Sequence, residues 1–363
     1  MSETVLSGNI GEWTEVYVFF SVLRDGKLYC TKDDLTLDPD SFLDVLKIIR
    51  KGFEDEDFQY CIENGVIFVC PTNNKKFPKV FISKNDLNAN AKNVLERIFE
   101  HKKNSHGERA FSIPNVQEYM NSIYMDELKA PTSDKSDIQI LCYDSKNALT
   151  SMNGFSIKSK LGGDATLINA SGSTNFRFEL DGMSKEMMDM ANSIPDTIPR
   201  MEYLIQYSIP RFRGAVKKRT KDNLALLDGK YEEIISILLW QSFVQNECNI
   251  KKLCKIIDRI NPMQSEFKNY FEFKIKKLLI TCALGLNLGT KWNGEEDANG
   301  GFITVDKKGT IFAYHFFNRT IVENFLFNNT RLERSSRSKH HWGKVFAEDG
   351  KFYIDLNLQV RFN

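Results

Sequence analysis

The two segments that decide the fold are DIQILCY (residues 137–143) and GFSIKS (residues 154–159). Most positions from 138 to 143 are apolar or aromatic, which predicts a buried β-strand. The polar residues between the segments, 144–153, predict a turn. The second segment predicts another strand, so the two should pair as a hairpin with its loop centred near Ala148.

This hairpin would bring two charged side chains together on an apolar frame. In the register set by that loop, Asp137 lies roughly opposite Lys158. Strand side chains alternate between faces, so Ser156 and Lys158 share one face while Phe155 and Ile157 point to the other. A carboxylate that holds a divalent metal and a lysine that orients or polarises water suit phosphodiester hydrolysis. By spacing alone, an edge carboxylate and an exposed strand lysine explain the same pattern.

The hairpin resembles the metal site of the PD-(D/E)xK nucleases, in which an Asp on one strand is followed by (Asp/Glu)-x-Lys on the next. Several segments further resemble the HpaII-type restriction endonucleases and keep that family's order. They are 11–15 (GEWTE), 154–159 (GFSIKS), 166–171 (TLINAS), 174–176 (TNF), 300–303 (GGFI) and 356–362 (LNLQVRF). The resemblance runs from residue 8 to the C-terminus, so it is more specific than an Asp…x-Lys pair.

Two positions depart from the family's pattern. No proline precedes Asp137, where Ser136 stands, and Ser156 occupies the acidic position of (Asp/Glu)-x-Lys. A serine cannot supply the second metal carboxylate. Either that ligand comes from another part of the chain, or the metal site is weaker than usual.

The resemblance implies a type II restriction endonuclease that cleaves double-stranded DNA with Mg²⁺ at a C/G-containing sequence such as CCGG. The sequence has no P-loop or helicase motif, so cleavage should need no ATP. In that role Asp137 would bind Mg²⁺, Lys158 would act on the attacking water or the transition-state charge, and the Ile157 carbonyl would add a metal ligand. Magnesium prefers oxygen ligands and keeps several waters, which fits so sparse a set. A palindromic target would require a homodimer or sequential nicking. A cognate DNA methyltransferase would belong to the same restriction-modification system without forming a stable complex.

Three glutamates are candidates for the second carboxylate: Glu12, Glu15 and Glu179. The first two lie on a predicted helix, residues 9–23, at a three-residue spacing that puts them on neighbouring positions of one face. Glu12 has an alternative role, because Asn9 as N-cap and Glu12 at the third helical position form a capping box. Glu15 has the alternative of a solvated face residue. We favour Glu15 or Glu12 and place Glu179, on a later strand, behind them.

A hydroxyl- and amide-rich segment, residues 166–175, is a candidate for phosphate binding. Its side chains that suit DNA contacts are those of Asn169, Ser171, Thr174 and Asn175. An ordinary turn that satisfies its own hydrogen bonds explains the segment too, and is the better explanation without the resemblance.

Two basic runs are candidates for DNA contacts. The first holds Arg211, Arg213, Lys217, Lys218, Arg219 and Lys221. The second holds Arg331, Arg334, Ser336, Arg337, Lys339, His340, His341 and Lys344. A solvated helix face explains the first run about as well as DNA does. We favour the second, and in particular Arg334, Ser336, Arg337 and Lys339, because Arg reads guanine and Ser holds phosphate.

Composition bounds the class of protein. Of 363 residues, 42% are hydrophobic and 12% aromatic, which excludes a disordered chain. Basic and acidic residues number 49 and 48, so any DNA contact must depend on locally clustered charge. The seven cysteines form no C-x-x-C pair, which favours reduced thiols. No signal peptide or run of about 18 apolar residues is present, so we expect a cytoplasmic protein without membrane contact.

The predicted fold class is α/β, with a mixed central sheet of the restriction-endonuclease-like type and a mostly helical insertion. Residues 1–182 would form the N-terminal region and nuclease hairpin, 183–285 the helical region, and 286–363 a C-terminal α/β part for DNA recognition. The spacing of apolar residues also predicts helices at 41–51 and 214–227.

Two other functions stay open at this point. One is a repair or defence nuclease without sequence specificity, which would cut unrelated DNA into a smear. The other is a catalytically inactive DNA-binding protein, which would bind in a salt-dependent way without metal-dependent cutting.

Overall fold

A computed structural model describes residues 5–31, 37–73, 76–104, 108–130, 136–162, 166–296, 299–315, 319–334 and 343–363. The chain forms two compact units. Unit 1 comprises Met1–Ala165, Ala283–Gly285 and Asp297–Val322, and unit 2 comprises Thr166–Cys282, Leu286–Glu296 and Glu323–Asn363. These boundaries differ from the predicted three-part division, because residues 297–322 group with the hairpin rather than with the C-terminal part.

The described residues contain both helices and strands, as an α/β chain should. The helices are α1 (Ile10–Asp25), α2 (Lys84–Asn104), α3 (Pro114–Ser122), α4 (Lys185–Ser193), α5 (Thr197–Tyr207), α6 (Lys218–Leu227), α7 (Tyr231–Val244), α8 (Ile250–Ile260), α9 (Tyr270–Leu284) and α10 (Arg319–Asn328). The strands of the first half are β1 (Gly8–Asn9), β2 (Lys27–Thr31), β3 (Leu37–Lys51), β4 (Asp57–Glu63), β5 (Val66–Pro71), β6 (Val80–Ile82), β7 (Ala110–Phe111), β8 (Ile138–Asp144) and β9 (Leu149–Ser159). Those of the second half are β10 (Thr166–Ile168), β11 (Asn175–Asp181), β12 (Ile209–Ala215), β13 (Gly301–Val305), β14 (Ile311–His315), β15 (Thr330–Leu332), β16 (Val345–Glu348), β17 (Lys351–Asn357) and β18 (Val360–Phe362).

Unit 1 is built on a mixed nine-stranded sheet in the order β2-β14-β13-β9-β8-β3-β4-β5-β6. Strand β2 also pairs with β3, so the part of the sheet from β2 to β3 closes on itself. Strand β13 runs parallel to β9, whereas β8 and β9 are antiparallel. The mixed α/β class is therefore confirmed.

Helix α1 supplies much of the apolar core of unit 1. Asn9 caps it, accepting hydrogen bonds from the backbone N–H groups of Gly11 and Glu12. Trp13, Phe19 and other α1 residues are fully buried against the sheet, and they offset the conformational entropy lost on folding. The prediction of a helix at 9–23 is confirmed. The helix carries Glu12 and Glu15, and both side chains are partly buried.

The predicted helix at 41–51 is wrong, because these residues belong to β3. Leu43, Val45 and Ile48 are buried, and the register with β8 shifts between Val45 and Lys47. A bulge adds one residue to the strand, so the apolar positions before and after it stand three apart instead of two. That spacing imitates a helix.

The predicted hairpin is present, but its register differs by two residues. Ile138 pairs with Phe155, so the ladder places Asp137 across from Ser156 and not Lys158. The turn is shorter than expected, because β9 begins at Leu149. Lys158 therefore lies two residues further along β9, on the same face as Ser156.

Unit 2 combines helices with a four-stranded sheet, β12-β11-β17-β16, and a three-stranded sheet, β10-β18-β15. Its core includes Phe178 of β11, whose ring lies 5.4 Å from that of Trp240 on α7. The predicted helix at 214–227 is only partly right. Residues 209–215 form strand β12, which tolerates Pro210 because it lies at the edge of its sheet.

None of the helices in the described part of the chain is long and apolar enough to cross a membrane.

Candidate active site

Asp137 lies directly before β8 and is held by hydrogen bonds to the neighbouring strand, β9. Its backbone N–H donates to the carbonyl of Phe155 at 2.9 Å. Its Oδ2 accepts two hydrogen bonds, from Ser156 Oγ at 3.1 Å and from the backbone N–H of Ile157 at 2.5 Å. Two donors on one oxygen fix the direction of the carboxylate. The serine that replaces the family's acidic residue thus orients the aspartate.

Lys158 follows on the same face of β9. It is half-buried, and it has no hydrogen bond or ion pair with any residue that the structure describes. In the parallel ladder with β13 it is the Cα partner of Thr304, which the sequence did not single out. The ammonium is therefore free to interact with a bound substrate or water.

Glu15 is the glutamate of α1 whose carboxyl group is poorly satisfied. Its Oε2 atom is buried and accepts no hydrogen bond from the described residues. Burial and then the negative charge of Asp137 raise the pKa of Glu15 to about 8, although Arg50 and a backbone hydrogen bond at Ala130 act in the opposite direction. A cation between Glu15 and Asp137 would relieve both effects, since it would pair with each carboxylate.

The raised pKa of Glu15 predicts how the stability of the metal-free protein changes with pH. The folded value near 8 lies above the ordinary value of 4.5, so the folded chain binds an extra proton between them, and its stability falls as the pH rises. In EDTA, the free energy of unfolding of the natural chain should fall between pH 5 and pH 7.5 by on the order of 3 kcal/mol more than that of Glu15→Gln. Denaturant titrations at both pH values measure this difference. Glu118→Gln, at an exposed position of α3, is the control and should keep the pH dependence of the natural chain. If the free energy of unfolding changed with pH by the same amount in all three proteins, the prediction would be refuted.

Glu12 takes part in the capping box at the start of α1, which confirms its alternative role. Its Oε2 accepts from the backbone N–H of Asn9 at 2.9 Å, which completes the capping box. Its Oε1 pairs with Lys129 at 3.1 Å. Glu15 is therefore the better candidate for the second carboxylate.

Glu179 is buried in unit 2 and paired with two cations there. Its carboxylate contacts Arg213 at 2.7 Å and Lys351 at 3.2 Å. Burial opposes its charge, but hydrogen bonds from Lys351 and Arg213 prevail and lower its pKa. A carboxylate neutralised in this way is a poor candidate for a metal ligand.

The oxygen donors around Asp137 fit a hard divalent cation better than a soft one. Among the residues that the structure describes, no three His, Cys, Asp or Glu side chains come together as a metal site. Two carboxylates, Glu15 and Asp137, interact electrostatically, and one of them has an unpartnered buried oxygen. A cavity of about 210 Å³ adjoins Asp137 and leaves space for water; Arg50, Ser136 and Gln139 also line it. Magnesium, which accepts two carboxylates and several waters, fits this arrangement.

Arg50 is a second residue that the sequence analysis missed. It lies on β3, is 7% exposed, and donates from Nη2 to the carbonyl of Glu127 at 2.7 Å. Its charge acts on Glu15 and favours the ionised carboxylate. An arginine directly after Ile48 and Ile49 on an apolar strand is a signal that could have indicated a buried charge.

The hydroxyl-rich turn before β11 satisfies itself, as its alternative explanation predicted. Ser171 Oγ accepts from the backbone N–H of Ser173 at 3.2 Å, and Thr174 Oγ1 accepts from that of Ser171 at 3.0 Å. The Asn357 amide donates to Asn175 Oδ1 at 2.6 Å and also binds the turn. Thr174 and Asn175 are buried, whereas Asn169 is exposed and remains accessible to DNA.

The second basic run lies largely outside the described residues, which do not include Ser336, Arg337 or Lys339. Arg334 is described, and its Nη1 donates to the carbonyl of Ser242 and to Asn246 Oδ1, both at 3.1 Å. These contacts attach Arg334 to the end of α7, so its guanidinium is partly occupied by the fold.

Comparison with known proteins defines the class. The type II restriction enzyme HpaII of Haemophilus parainfluenzae is 33% identical to the chain over 362 residues, which cover 98% of each protein. The chain is accordingly a type II restriction endonuclease, a site-specific deoxyribonuclease. A family model described as HpaII restriction endonuclease matches residues 9–362, and the chain belongs to that family. No solved structure matches the chain.

This membership confirms the resemblance noted in the sequence. It also favours the enzyme over an inactive DNA-binding protein and over a nonspecific nuclease, because the family and the relative are restriction enzymes.

Proposed function

We propose that the chain hydrolyses phosphodiester bonds of double-stranded DNA with Mg²⁺, at a short CCGG-like sequence, from the site formed by Asp137, Glu15, Ile157 and Lys158. The observation that carries the proposal is the joint placement of these groups in unit 1. Asp137 is oriented by hydrogen bonds from Ser156 and Ile157, and its charge acts on Glu15. Lys158 follows Ser156 and Ile157 on β9, and its ammonium has no partner among the described residues.

Asp137 and Glu15 would hold the metal, with the Ile157 carbonyl as a further oxygen donor. The N–H and C=O of one strand residue point to the same edge, and the N–H of Ile157 donates to Asp137. The metal, when bound, supplies a Lewis acid and lowers the pKa of a bound water. With a metal bound, Glu15 would be in its charged form, because the cation would offset the burial and the charge of Asp137 that raise its pKa.

The remaining roles, orientation and charge stabilisation, belong to residues of the protein itself. Ser156 and the Ile157 N–H hold Asp137 in one direction, so little reorganisation is needed when substrate binds. Lys158 orients the attacking water or stabilises the charge that develops on the phosphate oxygens. In-line attack at phosphorus gives 5′-phosphate and 3′-hydroxyl ends, as the family resemblance implies.

The arrangement of α1, β3, β8, β9 and β13 supports a nuclease core of the restriction-endonuclease-like type. A hairpin carries the Asp and Lys, and a preceding helix adds a Glu. Cleavage of both strands at a palindromic site requires two such cores, which we expect from a homodimer or from two successive nicks. The cognate methyltransferase would act on the same sequence without a lasting complex.

Digestion of a sequenced phage genome tests the proposed function. Purified protein with Mg²⁺ should give discrete fragments, EDTA should abolish them, and their mapped ends should share a CCGG-like sequence. A smear would support a nonspecific nuclease, and absence of cutting in Mg²⁺ with DNA binding intact would overturn the catalytic claim.

The first basic run offers exposed charges for the DNA backbone. Arg211 pairs with Asp181, and Arg213 with Glu179, so these arginines are partly neutralised. Lys217, Lys218 and Arg219 are exposed at the start of α6, and no described acidic residue pairs with them. We include these three residues in the proposed DNA-binding surface.

The double variant Lys217→Ala/Lys218→Ala should bind duplex DNA more weakly and with less dependence on salt. Each phosphate contact contributes about 0.9 to the slope of log K against log salt concentration, so the slope should fall by about 1.8. Fluorescence anisotropy with a labelled duplex in EDTA, from 50 to 200 mM KCl (about the range in which such slopes are measured), gives both quantities. Lys252→Ala/Lys255→Ala, which removes two exposed lysines of α8, is the control and should keep the natural slope. If both double variants behave alike, the α6 lysines do not contact DNA.

A further inference from the structure

We propose that Thr304 is a positioning residue for Lys158: in the DNA complex its hydroxyl accepts a hydrogen bond from the ammonium and holds it towards the attacking water. The proposal rests on the catalytic role of Lys158 proposed above.

The sheet register brings the two side chains together. Strand β13 is parallel to β9, with Phe302 the Cα partner of Ser156 and Thr304 the Cα partner of Lys158. Ile303 and Val305 join the apolar core of unit 1. Because side chains alternate, Thr304 lies on the other face, the face that Ser156 and Lys158 share.

The hydroxyl of Thr304 is buried and unsatisfied. The residue is 4% exposed, and its Oγ1 has no hydrogen-bond partner among the described residues. A buried hydroxyl without a partner lowers stability, and valine would fill the same space without that loss. The hydroxyl of Thr304 therefore lowers the stability of the free protein, and it is satisfied only when a hydrogen-bond donor reaches it.

Lys158 is the adjacent donor. Its four-carbon stem is flexible and its ammonium has three N–H groups. The residue is half-buried and has no partner in the described chain. One N–H donated to Thr304 leaves two others for the water and a phosphate oxygen, and it restricts the rotation of the lysine stem. Limiting the rotation of a catalytic side chain raises the rate of the chemical step more than it changes DNA affinity.

A set of variants separates this role from a purely structural one. Single-turnover cleavage of a cognate duplex in Mg²⁺, duplex affinity in EDTA and the melting temperature are measured for Thr304→Val and Thr304→Ser. We expect Thr304→Val to cleave about 10-fold more slowly, as for the loss of one hydrogen bond to a charged group. Its duplex affinity should be unchanged and its melting temperature equal or higher. Thr304→Ser, which retains the hydroxyl, should recover most of the rate.

A double-mutant cycle provides the second readout. If the hydroxyl acts through the ammonium, Thr304→Val should not slow cleavage further in a Lys158→Ala background. A natural rate for Thr304→Val, a Ser variant as slow as Val, or additive losses in the cycle would each overturn the proposal. Failure of the proposed function looks different, because Lys158→Ala would then cut as fast as the natural chain, or the natural chain would not cut in Mg²⁺.

Discussion

Lys158→Ala is expected to lose DNA cleavage while keeping DNA binding. Removal of one preorganised group that stabilises developing charge typically costs about 10²–10³-fold in rate, so the single-turnover rate should fall by at least about 100-fold. The lysine has no hydrogen bond or ion pair with the described residues, so its loss breaks no internal polar interaction and should change the free energy of unfolding little. Cleavage of a labelled cognate duplex and chemical denaturation measure the two effects.

Lys146→Ala is the matched control, because Lys146 lies in the turn of the same hairpin and its Nζ donates a hydrogen bond to Ser41 Oγ at 2.9 Å, with no other polar partner among the described residues. This variant should cut at the natural rate. If Lys158→Ala retained more than about a tenth of the natural activity, a role in charge stabilisation would be ruled out for it.

Asp137→Asn should abolish cleavage and also the response of the protein to metal. An amide offers a neutral oxygen in place of a carboxylate, so affinity for a hard cation should fall sharply. A ligand that binds the folded state raises stability by mass action, and the natural chain should therefore melt at a higher temperature in Mg²⁺ than in EDTA. The Asn variant should show a much smaller shift and a cleavage rate lower by at least about 10³-fold, since both the metal and its orientation are affected.

The same variant should alter Glu15. The negative charge of Asp137 is the second cause of the raised pKa of Glu15, after burial. Without it the pKa should fall, and the pH dependence of stability in EDTA should become shallower. A full thermal response to Mg²⁺ in Asp137→Asn would exclude Asp137 as a metal ligand.

The central hairpin could be predicted from the sequence because its apolar strands and polar turn are local features. The register could not, since it depends on where the turn tightens: β9 begins at Leu149, five residues before the predicted strand. The prediction of a helix at 41–51, within β3, is wrong for a related reason. A bulge between Val45 and Lys47 changes the spacing of apolar residues, and no local signal distinguishes that from helical periodicity.

The choice among the three glutamates illustrates the same limit within the site. Sequence reasoning offered Glu12 and Glu15 together because both lie on one turn of one helix. The structure separates them through interactions with distant residues: Lys129 and the cap engage Glu12, whereas the charges of Asp137 and Arg50 act on Glu15. Thr304 was missed entirely, since only sheet pairing brings residue 304 beside residue 158.

The place of β13 in the sheet has a consequence for how the enzyme is made. One of the two strands that border β9, namely β13, comes from residues 301–305, although β9 itself ends at Ser159. A ribosome therefore finishes Glu15, Asp137 and Lys158 long before it makes β13, the strand beside Lys158. An interrupted translation product that stops before residue 301 holds each of these three residues and retains β8, but it lacks β13, the second neighbour of β9. The capacity to cut chromosomal DNA should accordingly arise only when synthesis of the chain is nearly complete.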